Sequence, residues 1–263
     1  MAQTVGVPKA LARRAPYSVR AALIRAARLV LPQRALVRMN ELILGRQRRR
    51  NAALTLEDVF REVYEKNAWG GTPGELCSGS GSADEYAIPY AEAIGRFVES
   101  HGIRTIVDLG CGDFSVGRLI ASKSARYVGV DIVDEVVRRN RERHGAEGVE
   151  FLCLDMTKDE LPPGDLCLVR QVLQHLSNAE ILAVLERTRG YPFVVVTEHL
   201  PAVDAVSHPN LDKPHGADTR ILEDSGVFLE EEPFGQRIVE TLLEVPFREP
   251  LRPGERLLTF RIR

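Results

Sequence analysis

Residues 107–114 read VDLGCGDF, and this stretch constrains the fold more than any other. The apolar run Thr105–Leu109 leads into Gly110, Cys111 and Gly112, and a helical pattern begins near Ser115. A buried strand that breaks on glycines and opens a helix is the first unit of a doubly wound α/β fold. Ligands of such folds bind outside the carboxyl ends of the strands, so this turn marks a site. A dinucleotide fingerprint needs G-x-G-x-x-G, but Ser115 stands three residues past Gly112. Gly112 and Gly117 have the glycine spacing of a P-loop, yet Arg118 and Leu119 follow where Lys and Ser/Thr belong. Asp108 and Asp113 bracket the loop and would repel a pyrophosphate. Two carboxylates beside a glycine turn suit a cation instead.

The segment resembles motif I of the class I S-adenosylmethionine-dependent methyltransferases, an apolar strand, an acid and then G-x-G. That cofactor carries a sulfonium, an ammonium and no phosphate, which fits the charge argument. The third glycine common in the family is Asp113 here. Two further stretches, Asn67–Gly71 (NAWGG) and Ser78–Ser82 (SGSGS), resemble one subgroup of the family when taken with GCGD. The resemblance covers residues 55–263. It implies a Rossmann-like α/β fold: a doubly wound, seven-stranded, mostly parallel sheet with one antiparallel strand and helices on both faces. It leaves residues 1–54 as a basic helical extension.

The acids at the strand ends carry the rest of the cofactor site. The second strand, Ala125–Asp131, ends in an acid 23 residues after Asp108. Asp131 is placed to accept both ribose hydroxyls of an adenosyl group, with Ile132 beside it, and can also cap the helix that follows. The third strand, Val149–Asp155, again ends on an acid. By resemblance Asp155 meets the adenine amino group and Met156 packs on the ring; the alternative is a turn aspartate and a core methionine. After the fourth strand, Gly164–Arg170, the QVLQHLS turn resembles motif IV of the family. It implies Arg170 and Gln171 beside the methionine part of the cofactor. His175 is a candidate general base, titrating near physiological pH when unperturbed, or else a structural histidine. The fifth strand, Phe193–Thr197, delivers Glu198 and His199 to the same edge, and His199 is the second candidate base. Trp69 and Ser80 sit on the glycine-rich loop, which reads either as a lid over the cofactor or as a hinge.

Thr55–Asp58 has the form of a capping box opening a helix to about Lys66, with Val59, Phe60 and Val63 facing inward. Pro89 is expected to start the next helix, a further helix is expected over Val116–Ser122, and Asn178 is expected to cap the helix Ala179–Arg187. Between Leu200 and Gly235 no long periodic element appears, and long irregular segments in compact domains are often functional. Asn210, Asp212 and Arg220 are therefore read as substrate-facing. His208, Asp212 and His215 lack any recognised ligand spacing, so no metal is expected.

Charge is distributed unevenly along the 263 residues. Residues 1–50 hold twelve Lys/Arg against Glu41 alone, a net of +11, which leaves 23 basic and 36 acidic residues, net −13, beyond them. Helical periodicity over 17–31 and 34–44 makes this either a basic amphipathic arm for an anionic membrane or nucleic acid, or an extension packed on the domain or a second copy. Four cysteines without C-x-x-C suit a reducing compartment. Arg20, Arg25 and Arg28 interrupt the only candidate signal sequence, and no apolar run reaches a membrane span. The cytoplasm is the expected location, with residues 12–50 as a peripheral membrane contact in the alternative reading. The expected reaction is methyl transfer from S-adenosylmethionine to oxygen or nitrogen of a small molecule such as a natural product, glycan or lipid. An RNA methyltransferase using the basic arm and a non-catalytic scaffold are the rivals. Nucleic acid is not the expected partner, and homo-oligomerisation is left open.

Overall fold

A computed structural model describes residues 44–72, 74–248 and 253–263. The expected helices over 17–31 and 34–44 fall almost wholly outside the described residues. Five strands run parallel: β1 (Thr105–Leu109), β2 (Arg126–Asp131), β3 (Val149–Cys153), β4 (Leu166–Arg170) and β5 (Phe193–Leu200). Two more, β6 (Glu240–Pro246) and β7 (Arg256–Arg261), complete the sheet in the order β3-β2-β1-β4-β5-β7-β6. Only β7 opposes its neighbours, pairing antiparallel with both β5 and β6. The order reverses beside β1, where β2 lies on one side and β4 on the other, which is where such sheets open a ligand crevice.

Helices α1 (44–51), α2 (Leu56–Glu65), α3 (Asp84–His101), α4 (Asp134–His144) and α5 (Asn178–Arg187) surround this sheet. Alternate residues of a strand point to opposite faces, and the core divides accordingly. Val107, Val128, Cys167 and Val194 pack with residues of α2, α4 and α5; Ile106, Tyr127, Leu166 and Val195 pack with Tyr90, Ile94 and Phe97 of α3. The same parity sends Asp108, Asp131 and Arg170 to the α3 face and Glu198 to the other.

Local chemistry explains the helix ends. The Thr55 hydroxyl accepts a hydrogen bond from the Asp58 amide and opens α2. Ser177, rather than Asn178, caps α5, in a complete capping box with Glu180; Asn178 is left to brace a loop described below. α3 begins five residues before Pro89, which sits inside it. Asp84 and Glu85 in its first turn complement the helix dipole, which offsets the missing side-chain cap and the donor lost at Pro89. Where Val116–Ser122 is expected to be helical, there are two single 3₁₀ turns, Gly117–Leu119 and Ala121–Lys123. Gly117 is pressed against the Phe114 ring and the Tyr127 hydroxyl, where a side chain would collide. Among the described residues no helix is long and apolar enough to cross a membrane.

Candidate active site

The glycine turn after β1 depends on backbone angles that other residues resist. Gly110 has φ +74° and Gly112 φ +56°. A Cβ on Gly110 would stand 2.4 Å from Val172 Cγ2, and one on Gly112 2.2 Å from Ser78 Oγ. The two glycines thus let the segments holding Val172 and Ser78 close directly onto the turn. Gln171, at the tip of β4, also has a positive φ of 55°, a conformation uncommon for a side-chain-bearing residue.

These tips enclose a cavity of about 1010 Å³, counting its open mouth. Asp108, Gly110, Gly112, Asp131, Ile132, Asp155, Met156, Arg170, Gln171, His175 and Trp69 all line it. Ser80 does not; its neighbours Ser78 and Ser82 do, because the strap bends away between them in a 3₁₀ turn, Ser80–Ser82.

Of the residues that roof the cavity, the sequence singled out Trp69 as a site residue but not those of α2. Leu56, Phe60 and Tyr64 come from one side of α2, and Trp69 from the loop after it. Trp69 packs against Tyr64 (ring centroids 5.5 Å apart), Phe60 (6.0 Å) and His175 (5.0 Å), and its indole N–H donates to Ala217 O (3.2 Å). The inward periodicity of α2 was visible in the sequence, but not that its inward side would face a ligand crevice as well as core. The strap after Trp69 is fastened across the cavity. Ser78 N donates to Asp113 Oδ2 (3.0 Å), and Asp113 N donates to Ser78 Oγ (2.9 Å). Arg170 Nη2 donates to Gly81 O (2.7 Å), and Arg139 Nη1 to Gly74 O (2.7 Å). This position of Asp113, where the family has a third glycine, is therefore a fastening point for the strap.

Two carboxylates in the cavity are held in strained electrostatic states. Burial pushes Asp108 up to about 6, against the pull of the Tyr127 hydroxyl bonded to it and of the Arg170 charge. Burial likewise raises Asp131 to about 6, although Gly112 N (3.1 Å) and Val133 N (3.0 Å) donate to its two oxygens. A cation entering the cavity would relieve them. Asp155 is the contrast. Burial acts on it too, but hydrogen bonds from Thr157 and Lys158 outweigh burial and hold it below the ordinary carboxylate value.

The candidate bases fare differently. His175 lines the cavity, but burial, reinforced by the Lys213 charge, drives its pKa down to about 3. Its Nδ1 lies 3.2 Å from Gly216 O, a geometry that suits an Nδ1–H donor. A ring so weakly basic is poorly matched to general-base work near neutrality. His199 is not in the cavity wall: its ring stacks on Phe247 (4.1 Å) and its Nε2 lies 3.2 Å from Glu255 Oε2. The long fifth strand, running on to Leu200, carries it past the crevice to Phe247 and Glu255.

Asn210, Asp212 and Arg220 likewise stand outside the wall; Asn210 and Arg220 are buried, and Asp212 is exposed. The Arg220 guanidinium is 1% exposed and donates to the carbonyls of Leu211 (2.7 Å) and Leu176 (2.9 Å) and to Asn178 Oδ1 (2.9 Å). Asn210 bonds the backbone of Phe228 through both ends of its amide, and Asp212 accepts from Asn178 N. Of the histidines considered for a metal, His215 is paired with Glu180 (2.7 Å). These groups let an irregular segment pack without orphaned backbone. Glu198, fully buried, does similar work for the turn before α5: its oxygens accept from Leu173 N and Gln174 N, both at 3.1 Å. Burial raises it to about 8 against those bonds.

Residues 106–190, from β1 through α5, match the family model described as a methyltransferase domain. The matched stretch carries Asp108, Gly110, Gly112, Asp131, Asp155 and Arg170 of the cavity wall. Solved structures agree on the fold. N-methyltransferase NodS from Bradyrhizobium japonicum, in complex with S-adenosylhomocysteine, is 12% identical, with 78% of this chain and 99% of that one covered and a TM-score of 0.53. A SAM-dependent methyltransferase from Leishmania major is 17% identical over 70% of this chain and 75% of its own, with a TM-score of 0.50. No curated protein matches the sequence.

The residues present fit the cofactor: a cradle that glycine alone permits, the carboxylates of Asp108 and Asp131 raised by burial, and apolar side chains of Ile132 and Met156 in the same wall.

Proposed function

We propose that the protein methylates a nucleophilic oxygen or nitrogen of a small molecule admitted to this roofed cavity. The observation that carries the reading is the pair Asp108 and Asp131, on the same face of adjacent strand tips and both raised to about 6 by burial beside the glycine turn. A site built this way favours a ligand with positive charge and ribose hydroxyls over a phosphate.

Bound S-adenosylmethionine supplies an electrophilic methyl on a sulfonium. The chain supplies position and dryness. Asp131 would accept the ribose hydroxyls, Met156 and Ile132 would flank the adenine, and Asp108 would face the ammonium. Phe60, Tyr64 and Trp69 exclude water above, which strengthens each of these contacts. In-line attack needs alignment chiefly, and alignment is what the fastened strap and the glycine turn provide. With His175 held neutral and His199 elsewhere, the acceptor best suited is one that brings its own lone pair, a neutral amine or a readily ionised hydroxyl.

The roof also speaks for a small acceptor, since α2 and the strap cover the cavity where a polymer would have to enter. Arg48 pairs with Asp218 (2.8 Å) and Glu223 (2.7 Å), and Arg50 with Glu62, so part of the basic stretch is occupied within the chain. Calorimetric titration with S-adenosylmethionine, for the protein and for Asp131→Ala, tests the reading. Micromolar binding that the substitution abolishes supports it; no binding by the folded protein sinks it and favours the scaffold.

A further inference from the structure

Among the described residues, three in the cavity wall carry a buried polar atom without a hydrogen-bond partner: Ser115 Oγ, Arg170 Nε and Gln174 Oε1. The first can turn to find a partner, and the second is a donor. Gln174 Oε1 is a carbonyl oxygen that only accepts, on a residue that is 6% exposed. Leaving such an oxygen unpaired costs about 1–3 kcal/mol.

Its direction is set by its neighbours. Gln174 Nε2 lies 3.3 Å from Gln171 O and 3.4 Å from His175 Nε2. The Gln171 carbonyl only accepts, so the amide nitrogen must face it and Oε1 takes the opposite branch. His175 obeys the same polarity: with Nδ1–H directed at Gly216 O, its Nε2 is left to accept from Gln174. The backbone beneath is fixed too, because Gln174 N donates to the buried Glu198. Gly216 O, His175 and Gln174 thus form a line whose open end, in the cavity wall, is an acceptor. Trp69 and Phe60, with ring centroids 5.0 and 6.5 Å from that of His175, give this end an apolar flank.

An amide oxygen accepts a hydrogen bond but does not take the proton. That separates three kinds of methyl acceptor. A neutral hydroxyl donates its one hydrogen to Oε1, but then no base removes it, since the His175 ring beside it is so weakly basic. An ionised hydroxyl has no hydrogen to donate and sets its charge against the carbonyl dipole. A neutral amine has both an N–H for Oε1 and a lone pair for the methyl.

We propose that Gln174 holds the methyl acceptor by accepting a hydrogen bond from its nucleophilic nitrogen, and that the acceptor is a neutral amine on an apolar body. The proposal rests on the methyltransferase reading above and narrows it. In the transfer the amine lone pair forms the N–C bond, while the C–S bond breaks with its electron pair on sulfur. Nitrogen gains the positive charge that sulfur loses, and an N–H proton then passes to water. Gln174 aligns the lone pair and moves no proton. The acids of the same wall, Asp108, Asp113, Asp131 and Asp155, suit a nitrogen that becomes cationic.

The test uses the protein loaded with S-adenosylhomocysteine and three probes of one shape: para-nitroaniline, para-nitrotoluene and para-nitrophenolate. Each is titrated into the protein and into Gln174→Met by ligand-observed NMR, at a pH where the phenol is ionised. The aniline should bind the protein about three- to tenfold more tightly than the toluene, the worth of one neutral hydrogen bond, and the phenolate should bind most weakly. Gln174→Met should bind the aniline and the toluene alike, while holding S-adenosylhomocysteine as the unsubstituted protein does. That retained affinity shows that the variant is folded. If Gln174→Met does not fold, Gln174→Asn, which withdraws the oxygen by one methylene, goes through the same comparison.

Equal binding of the aniline and the toluene by the unsubstituted protein overturns the proposal. So does a preference for the aniline that survives the substitution, or binding of none of the three probes. Tightest binding of the phenolate would hand the site to an ionised hydroxyl. All of these leave the methyltransferase reading intact; failure to bind S-adenosylhomocysteine at all is a separate result, and it removes that reading and the proposal together.

Discussion

Asp113 and Ser78 exchange two hydrogen bonds, each donating its backbone N–H to the other's side chain, at 3.0 and 2.9 Å. They are 35 residues apart in the chain, and the pair holds the strap directly over Gly112. Asp113→Ala removes both acceptor bonds of the carboxylate, to Ser78 N and Ser115 N. Cofactor affinity should fall by about 1–2 kcal/mol, roughly five- to thirtyfold, with little change in the unfolding midpoint. Calorimetry and hydrogen exchange of residues 67–82 check it. Unchanged exchange in the strap would mean that its other fastenings suffice.

Cofactor affinity should weaken below pH 6. Burial raises Asp108 and Asp131 each to about 6, and a cationic ligand needs them charged. Because both are raised above the ordinary carboxylate value, they favour the cofactor-free fold at low pH, and that contribution is lost as pH rises through 6. The bound state has the opposite preference. The thermal shift produced by S-adenosylmethionine should therefore grow from pH 5 to pH 7, with a dissociation constant roughly tenfold weaker at pH 5 for each carboxylate that must ionise. Asp108→Asn should flatten the profile.

His175 should stay neutral across the physiological range. Burial and the nearby Lys213 set it at about 3, so its ring resonances should not titrate between pH 5 and 8. Proton NMR, with His175→Gln to assign the signals, is the measurement. A midpoint near 6.5 would restore it as a candidate base.

Glu198→Ala should destabilise the fold rather than the chemistry. It strands the amides of Leu173 and Gln174 and opens a void in a site with no exposure. The cost should be about 3 kcal/mol in the denaturant midpoint, within the range for leaving buried donors unpaired.

Strand tips were legible because their signal is local. An apolar run that ends on an acid or a glycine fixes both the element and its edge of the sheet, and Asp108, Gly110, Gly112, Asp131, Asp155 and Arg170 all line one cavity for that reason. Long-range polar pairing left no such trace. Nothing near Arg220 in sequence shows that it gathers the carbonyls of Leu176 and Leu211, so it read as a group free to meet a substrate. Asn210 read as substrate-facing for the same reason: an irregular buried segment needs polar side chains to pair its backbone, and those look from sequence like a binding loop. His199 fails by length, since β5 runs on to Leu200 and carries its side chain past the crevice. Of the α2 residues that roof the cavity, only Phe60 was expected to face inward, and the apolar periodicity that placed it there does not distinguish core from cavity.

The chain has a single tryptophan, and it is the one in the cavity wall, packed on His175 and tied to Ala217 O. Its emission therefore reports from one place only. Whatever enters or leaves beneath the strap alters the polarity and quenching around that indole, so the unlabelled protein carries its own optical gauge of occupancy, readable on the timescale of a stopped-flow mixer.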